Sequence, residues 1–198
     1  MQRHTSSARL VGLAALPVVF LIAACDPPAA PPPAPSAKPA APAVKDPHES
    51  APPPLRPNQD APEVTLKLQD GKEVKLSSLR GKQVLVYFYP KDDTPGCTVE
   101  AQGLRDGWAE LQAAGLEVFG VSTQGAESHQ AFIDKHKLPF PLVVDEDGAV
   151  ARAFRVPIRN SFAARQSFLI GKDGKLKAVW LDVDPKEHAS TVLAAAKS

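Results

Sequence analysis

Cysteine is scarce: the 198 residues hold two, Cys25 and Cys97, too few to staple a fold with disulfides. No second cysteine follows Cys97 at the spacing of a dithiol couple, where the chain reads Cys97-Thr98-Val99-Glu100, so a thioredoxin-type Cys-x-x-Cys exchange centre is excluded. Charge of one sign is also lacking. The formal net charge is +1 and the basic residues gather in no run, which removes nucleic acid from the expected partners. No metal pair is offered either, because His129 and His136 share a candidate helix face at a spacing of seven, not the i, i+4 of a chelating pair. They read as packed or solvated side chains. The apolar run from Leu10 to Ala24 is too short for a comfortable membrane span, and no internal repeat is present.

That short run has its own meaning. Met1 to Arg9 carries Arg3 and Arg9 and no acid, Leu10 to Ala24 is almost wholly apolar, and Ile22-Ala23-Ala24 closes it with small residues before Cys25. The order is that of a secretory signal peptide, and it resembles the bacterial lipoprotein signal, whose final cysteine is lipidated after cleavage. The resemblance implies a signal over residues 1–24, an anchor at Cys25, and a place in the bacterial cell envelope with the domain facing the periplasm or exterior. From Pro27 to about Pro57 the chain is dominated by Pro and Ala and has almost no large apolar side chain, so it cannot build a core. Residues 25–57 are expected to be an extended tether. At about 3.1 Å per residue, some thirty residues hold a domain up to roughly 90 Å from a bilayer.

The segment 58–198 alternates strand-like and helix-like stretches. Glu63 to Leu68, an Asp70-Gly71 turn and Glu73 to Leu76 read as a hairpin. Val84 to Tyr89, Leu116 to Ser122 and Leu142 to Asp145 read as strands; Ala126 to Lys137, Ala149 to Phe154 and Pro185 to Ala196 as helices. Ser167 to Ile170 and Lys175 to Leu181 flank a turn at Lys172-Asp173-Gly174. This order predicts an α/β fold, a central mixed sheet with helices on both faces.

Between the first of those strands and the next stands Pro90-Lys91-Asp92-Asp93-Thr94-Pro95-Gly96-Cys97. Thr94 suits a helix N-cap and Pro95 the first helical position, which puts Cys97 third, among unpaired backbone N–H groups at the positive end of the helix dipole. That setting favours a thiolate, the reactive form. Cys97, Ala101, Leu104, Trp108 and Leu111 then recur at helical spacing as one apolar face, with Gly115 as the stop. A lone cysteine is otherwise most often a small buried hydrophobe, but Thr94-Pro95-Gly96 before it and Thr98 and Glu100 after it argue against full burial.

Tyr87-Phe88-Tyr89-Pro90-Lys91-Asp92-Asp93-Thr94-Pro95-Gly96-Cys97-Thr98-Val99-Glu100-Ala101, followed by Gly103-Leu104-Arg105-Asp106, resembles the active-site segment of peroxiredoxins, most of all the bacterioferritin comigratory protein or peroxiredoxin Q group. The similarity continues through Gly120-Val121-Ser122 and Leu142 to Gly148 to Arg165-Gln166-Ser167-Phe168-Leu169-Ile170. It implies a thioredoxin-like fold and a peroxidase that reduces hydrogen peroxide and organic hydroperoxides without metal or bound cofactor. Cys97 matches the peroxidatic cysteine that becomes a sulfenic acid, and Thr94 the threonine whose hydroxyl contacts thiolate and peroxide. Pro90 matches the proline covering the site from water, and Arg165 the arginine that stabilises thiolate and leaving oxygen. Glu100 matches a family position and orients the first turn, or as a first-turn acid simply suits the helix dipole. Tyr87, Phe88 and Tyr89 are expected in the core and pocket wall.

Two departures stand out. Many members of the group carry a resolving cysteine five residues after the peroxidatic one, where this chain has Gln102; others carry it where this chain has Ala149, Ala151 and Ala153. The resemblance therefore points to a one-cysteine mechanism in which an external thiol, a thioredoxin-like protein or a small thiol, is the resolver, in a monomer or weak dimer. The segment between Val156 and Arg165 is also shorter than in many members. A reading from another class is a redox-sensing or binding module that forms mixed disulfides through Cys97 and turns over little peroxide.

Overall fold

The computed structural model describes residues 52–198; the signal stretch, Cys25 and the tether as far as residue 51 lie outside the described residues. In chain order the elements are β1 (Thr65–Lys67), β2 (Glu73–Lys75), a 3-10 turn at Leu76–Leu79, β3 (Gln83–Phe88), α1 (Pro95–Asp106), α2 (Trp108–Ala113), β4 (Leu116–Ser122) and α3 (Ala126–His136). Then come β5 (Leu142–Val144), α4 (Ala149–Ala153), β6 (Ile158–Arg159), β7 (Phe162–Ala163), β8 (Gln166–Ile170), β9 (Leu176–Trp180) and α5 (His188–Lys197).

The main sheet runs β5-β4-β3-β8-β9, with β3, β4 and β5 parallel and β8 and β9 antiparallel to their neighbours. All six residues of β3 are buried, as a continuous apolar run in the middle of a two-sided sheet requires. Its side chains alternate between two cores. Val84, Val86 and Phe88 face the β1–β2 hairpin and α4, through Leu66, Leu76, Val150 and Phe154. Leu85, Tyr87 and Tyr89 face α1, α2, α3 and α5, through Ala101, Leu104, Leu111, Phe132 and Val192. The mixed sheet with helices on both faces is the expected architecture.

Four local features differ from the sequence reading. The helix expected to run unbroken past Trp108 breaks at Gly107, where φ −83° and ψ 6° end α1 and α2 restarts. The apolar face survives the break, with Leu104 and Leu111 buried on the same core. The last helix begins at His188, not Pro185, because the Asp184 carboxylate accepts the Lys186 N–H at 2.9 Å and draws the chain into a turn first. A small hairpin, β6–β7, was not foreseen; its turn residues Asn160 and Ser161 take φ of 50° and 66° without a glycine to mark them. Packing also begins before residue 58. Leu55 is buried in the first core, and the Pro53 carbonyl accepts a hydrogen bond from Arg155 at 2.8 Å.

Candidate active site

Parallel pairing of β3 with β4 persists one residue past the strand, where the Tyr89 N–H donates to the Val121 carbonyl at 3.1 Å. Half-buried Pro90 then ends it, since proline cannot extend the ladder. The loop Lys91–Thr94 that follows is held by two consecutive aspartates pointing opposite ways. Asp92 is buried and accepts from Tyr89 Oη at 2.7 Å, from Ser128 Oγ at 2.6 Å and from His129 Nδ1 at 2.9 Å. The other ring nitrogen of His129 lies 3.1 Å from the Val143 carbonyl. Both nitrogens thus face acceptors, the hydrogen-bonding pattern of an imidazolium. Burial works against the Asp92 carboxylate, but the hydrogen bond and charge of His129, with the Ser128 and Tyr89 hydroxyls, outweigh it and hold this group below the usual aspartate range.

Asp93 takes the left-handed φ of 58° that Asp tolerates better than most residues, and its exposed carboxylate meets Lys135 and, at 2.8 Å, His136 Nε2. His136 Nδ1 in turn faces the Gln102 amide at 3.2 Å, and the His136 carbonyl accepts from Arg105 at 2.8 Å. The loop before Cys97 and helix α1 after it are therefore both fastened to α3. His129 and His136 are packed, as expected, but each also carries a structural hydrogen bond that periodicity did not reveal.

Thr94 occupies the N-cap position with extended backbone, φ −84° and ψ 152°, and Pro95 is the first helical residue. The Thr94 hydroxyl does not cap the helix; its proton goes to the Lys91 carbonyl at 3.0 Å, leaving lone pairs for any other partner. Cys97 stands third in α1, as expected, but only 2% of it is exposed, against the expectation of an incompletely buried thiol. Cys97 packs in the core with Tyr87 and Ala101, and its polar neighbour Glu100 is buried with it.

What distinguishes this cysteine from an inert buried one is Arg165. Strand β8 runs antiparallel to β3 and pairs Gln166 with Phe88, so the residue before β8 arrives where β3 ends and α1 begins. The Arg165 guanidinium donates from Nη2 to Cys97 Sγ at 3.2 Å, and from Nη1 to Glu100 Oε2. Burial opposes its charge, but Glu100 and Cys97 more than compensate, and the guanidinium is held above its ordinary value. Glu100 is fully buried and so does more than suit a helix dipole. Its second oxygen lies 3.0 Å from His188 Nδ1, the ring supplied by the first residue of α5. The approach is off the angle of a hydrogen bond, and neither His188 nitrogen nor the nearby Tyr87 hydroxyl has a hydrogen-bond partner. Tyr87 lies edge-on to His188 with ring centroids 5.8 Å apart, and its phenol fits because Gly120 opposite it has no Cβ, which would fall 2.7 Å from the phenol oxygen. Burial, with the negative charges of Glu100, Cys97 and Asp92, pushes that phenol well above its usual range.

The arrangement brings Cys97, Arg165 and Glu100 into direct contact, with Pro90 and Thr94 at the two ends of the preceding loop. His188 and Tyr87 complete the cluster, and neither was marked as a site residue by sequence alone. A sulfur anion here meets a fixed guanidinium and the start of a helix, and a negative charge developing beside the sulfur meets the same groups.

The AhpC/TSA family model matches residues 57–179. Peroxiredoxin Bcp of Escherichia coli K12 is 46% identical over 118 residues, covering 56% of this chain and 76% of that one. A putative peroxiredoxin bcp of Coxiella burnetii is 42% identical over 118 residues, with 56% and 78% covered. Among solved structures, Xanthomonas campestris peroxiredoxin Q superposes with a TM-score of 0.64 at 36% identity, over 68% of this chain and 89% of that one.

Proposed function

This chain belongs to the AhpC/TSA family, as a thiol-dependent peroxidase of the Bcp/peroxiredoxin Q kind with a thioredoxin-like fold, and from that premise we propose that Cys97 is its peroxidatic residue. The observation that carries the assignment is the 3.2 Å contact between Arg165 Nη2 and the buried Cys97 sulfur at the third position of α1.

In the first step the Cys97 thiolate attacks one peroxide oxygen. The S–O bond forms, the O–O bond breaks, and the departing oxygen takes a proton to leave as water or an alcohol, so that Cys97 becomes a sulfenic acid. Arg165 lies beside the sulfur throughout and stabilises charge as it moves onto the leaving oxygen. Glu100 holds the other arm of the guanidinium and fixes its direction. Pro90 shields the site from water. Thr94, with its hydroxyl proton on the Lys91 carbonyl, offers its oxygen lone pairs to the peroxide O–H.

Cys97 is the only cysteine among the described residues, so resolution falls to an external thiol. That thiol condenses with the sulfenic acid, releasing water and leaving a mixed disulfide; a second thiol displaces Cys97 and restores it. The reductant is a thioredoxin-like protein or a small thiol. The rival reading, a binding module with little turnover, has no observation in its favour beyond the buried cysteine.

The amino terminus adds a location. Arg3 and Arg9, the apolar run and Ile22-Ala23-Ala24-Cys25 support lipidation of Cys25, removal of residues 1–24, and a Pro/Ala tether that carries the peroxidase in the cell envelope. Lipidation at Cys25 is checked by mass spectrometry of the membrane fraction, from which a Cys25→Ser chain should be lost.

The test of the activity is stopped-flow reaction of the purified chain with one equivalent of hydrogen peroxide, with mass spectrometry of the product. Fast formation of a sulfenic acid at Cys97, reversed by added thiol and abolished in Cys97→Ser, is expected. Reaction no faster than that of a free thiol overturns the assignment.

A further inference from the structure

Behind the reacting sulfur lies a buried titratable side chain, His188, that the peroxidase steps leave without a role. Glu100 is fully buried between Arg165 on one side and His188 on the other; the side chains of Glu100 and His188 are 0% and 1% exposed. They are brought together by the docking of α5 on α1, where Ala189 packs over Gly103 and Gly107. The groups facing His188 are Glu100 from α1 and Tyr87 from β3; Arg165, from the segment before β8, and Cys97 lie beyond Glu100 and are joined to it through the guanidinium.

The charge of this set decides what His188 must be. With Cys97 as thiolate and Glu100 as carboxylate, Arg165 alone leaves the dry cluster one negative charge in excess, and an unpaired buried charge is strongly disfavoured. Tyr87 cannot help, since its hydroxyl is neutral and unpartnered. His188 can. Its Nδ1 stands 3.0 Å from Glu100 Oε1, off the angle of a hydrogen bond but at the distance of an ion pair for a protonated ring. Glu100 already accepts from Arg165 at its other oxygen, which favours the carboxylate and leaves the ring as the group to supply the balancing charge.

We infer that His188 is a positioning residue of the peroxidase: as an imidazolium it balances Glu100 from the far side, so that Arg165 is left to serve the Cys97 thiolate. The inference rests on Cys97 being the reacting thiol. It touches neither sulfur nor peroxide and acts only through Glu100 and Arg165.

The test compares the full chain with His188→Gln, Glu100→Gln and the double variant, reading the rate of reaction with hydrogen peroxide across pH. In His188→Gln the excess negative charge returns. The acidic limb of the pH–rate profile should move up by about one unit, so that the rate on that limb falls roughly tenfold and recovers at high pH, where a packing defect would lower the rate at every pH. The double variant again has one cation for one anion, and its profile should return toward that of the unaltered chain. An unmoved limb in His188→Gln, or no return in the double variant, overturns the inference even if the unaltered chain is a fast peroxidase. A slow unaltered chain instead counts against Cys97 as peroxidatic residue.

A second measurement needs no change at His188. Nitrogen-15 NMR of the histidine rings should find both His188 nitrogens protonated in the reduced chain, and a lower titration midpoint for that ring in Cys97→Ser, where no thiolate forms. A neutral ring in the reduced chain, or an identical titration in both, overturns the inference whatever the variants do.

Discussion

Gly96 lies directly beneath the Arg165 guanidinium: a β-carbon built on Gly96 would stand 3.3 Å from Arg165 Nη2. That nitrogen is the one that reaches Cys97, and its neighbour is pinned by Glu100, so the guanidinium has little freedom to yield. Replacing a helical glycine by alanine ordinarily adds up to about 1 kcal/mol of stability. Gly96→Ala should therefore leave the melting temperature unchanged or raised while slowing peroxide reduction about tenfold. Thermal melts and stopped-flow rates on one preparation check both halves, and an unslowed variant would show that the guanidinium shifts without consequence.

Arg165 carries two separate bonds from two nitrogens, a geometry that an ammonium cannot reproduce. Arg165→Lys keeps the positive charge near Glu100 and so keeps the fold, but it should reduce the rate constant with hydrogen peroxide by roughly a hundredfold, the scale seen when one preorganised donor to a developing anion is lost. Arg165→Ala leaves Glu100 buried without its cation and should also destabilise; the Arg165→Ala, Glu100→Gln pair should recover stability and not activity. Urea titrations read the first effect and single-turnover kinetics the second. A Lys variant as fast as the unaltered chain would remove Arg165 from the proposed machinery.

The Asp92–His129 pair should show itself in acid. The Asp92 carboxyl is held below its ordinary range in the folded chain, so the unfolded state binds its proton first as pH falls. Its contribution is fully present above the unfolded value of about 3.9 and is lost as pH drops through the lower folded value. Asp92→Asn leaves His129 without its counter-charge in a site where the two side chains are 5% and 0% exposed, and should cost about 3 kcal/mol at pH 7. The difference from the unaltered chain should shrink as denaturation is repeated below pH 4. A gap that stays constant from pH 7 to pH 3 would contradict the charged pair.

The two cores and the loop before Cys97 were legible because the signals are local: the run Val84 to Tyr89, the Pro90 stop and the Thr94-Pro95 helix start each act within a few residues. Arg165 was reached by resemblance, and its place follows from strand order, since an antiparallel β8 must begin where β3 ends. Glu100 was ambiguous in sequence because a first-turn acid suits any helix; only its full burial separates the two readings. His188 gave no signal, because its contact with Glu100 exists only once α5 docks on α1 across a long stretch of chain. The burial of Cys97 escapes the sequence for a related reason. Polar neighbours in sequence do not say which way one side chain of a helix turns, and here Cys97 packs with Tyr87 in the core.

Gln102 stands five residues after Cys97, and its amide is bonded to His136 on α3. Residues 97 and 102 lie within one helix, at a Cα separation of about 8.6 Å for ideal α geometry, beyond the roughly 7 Å that a disulfide spans. A bond between them requires α1 to unwind. Two fastenings oppose this even without the Gln102 amide: Arg105 on the His136 carbonyl and Asp93 on Lys135 and His136. Gln102→Cys should therefore form its sulfenic acid at Cys97 as quickly as the unaltered chain but close the 97–102 disulfide slowly, with far-UV helix signal lost in step with closure. Adding Arg105→Ala should speed closure several-fold and leave sulfenic acid formation alone. Mass spectrometry of quenched samples beside stopped-flow circular dichroism separates the two events; rapid closure with the helix signal intact would mean that α1 gives way more easily than its contacts to α3 imply.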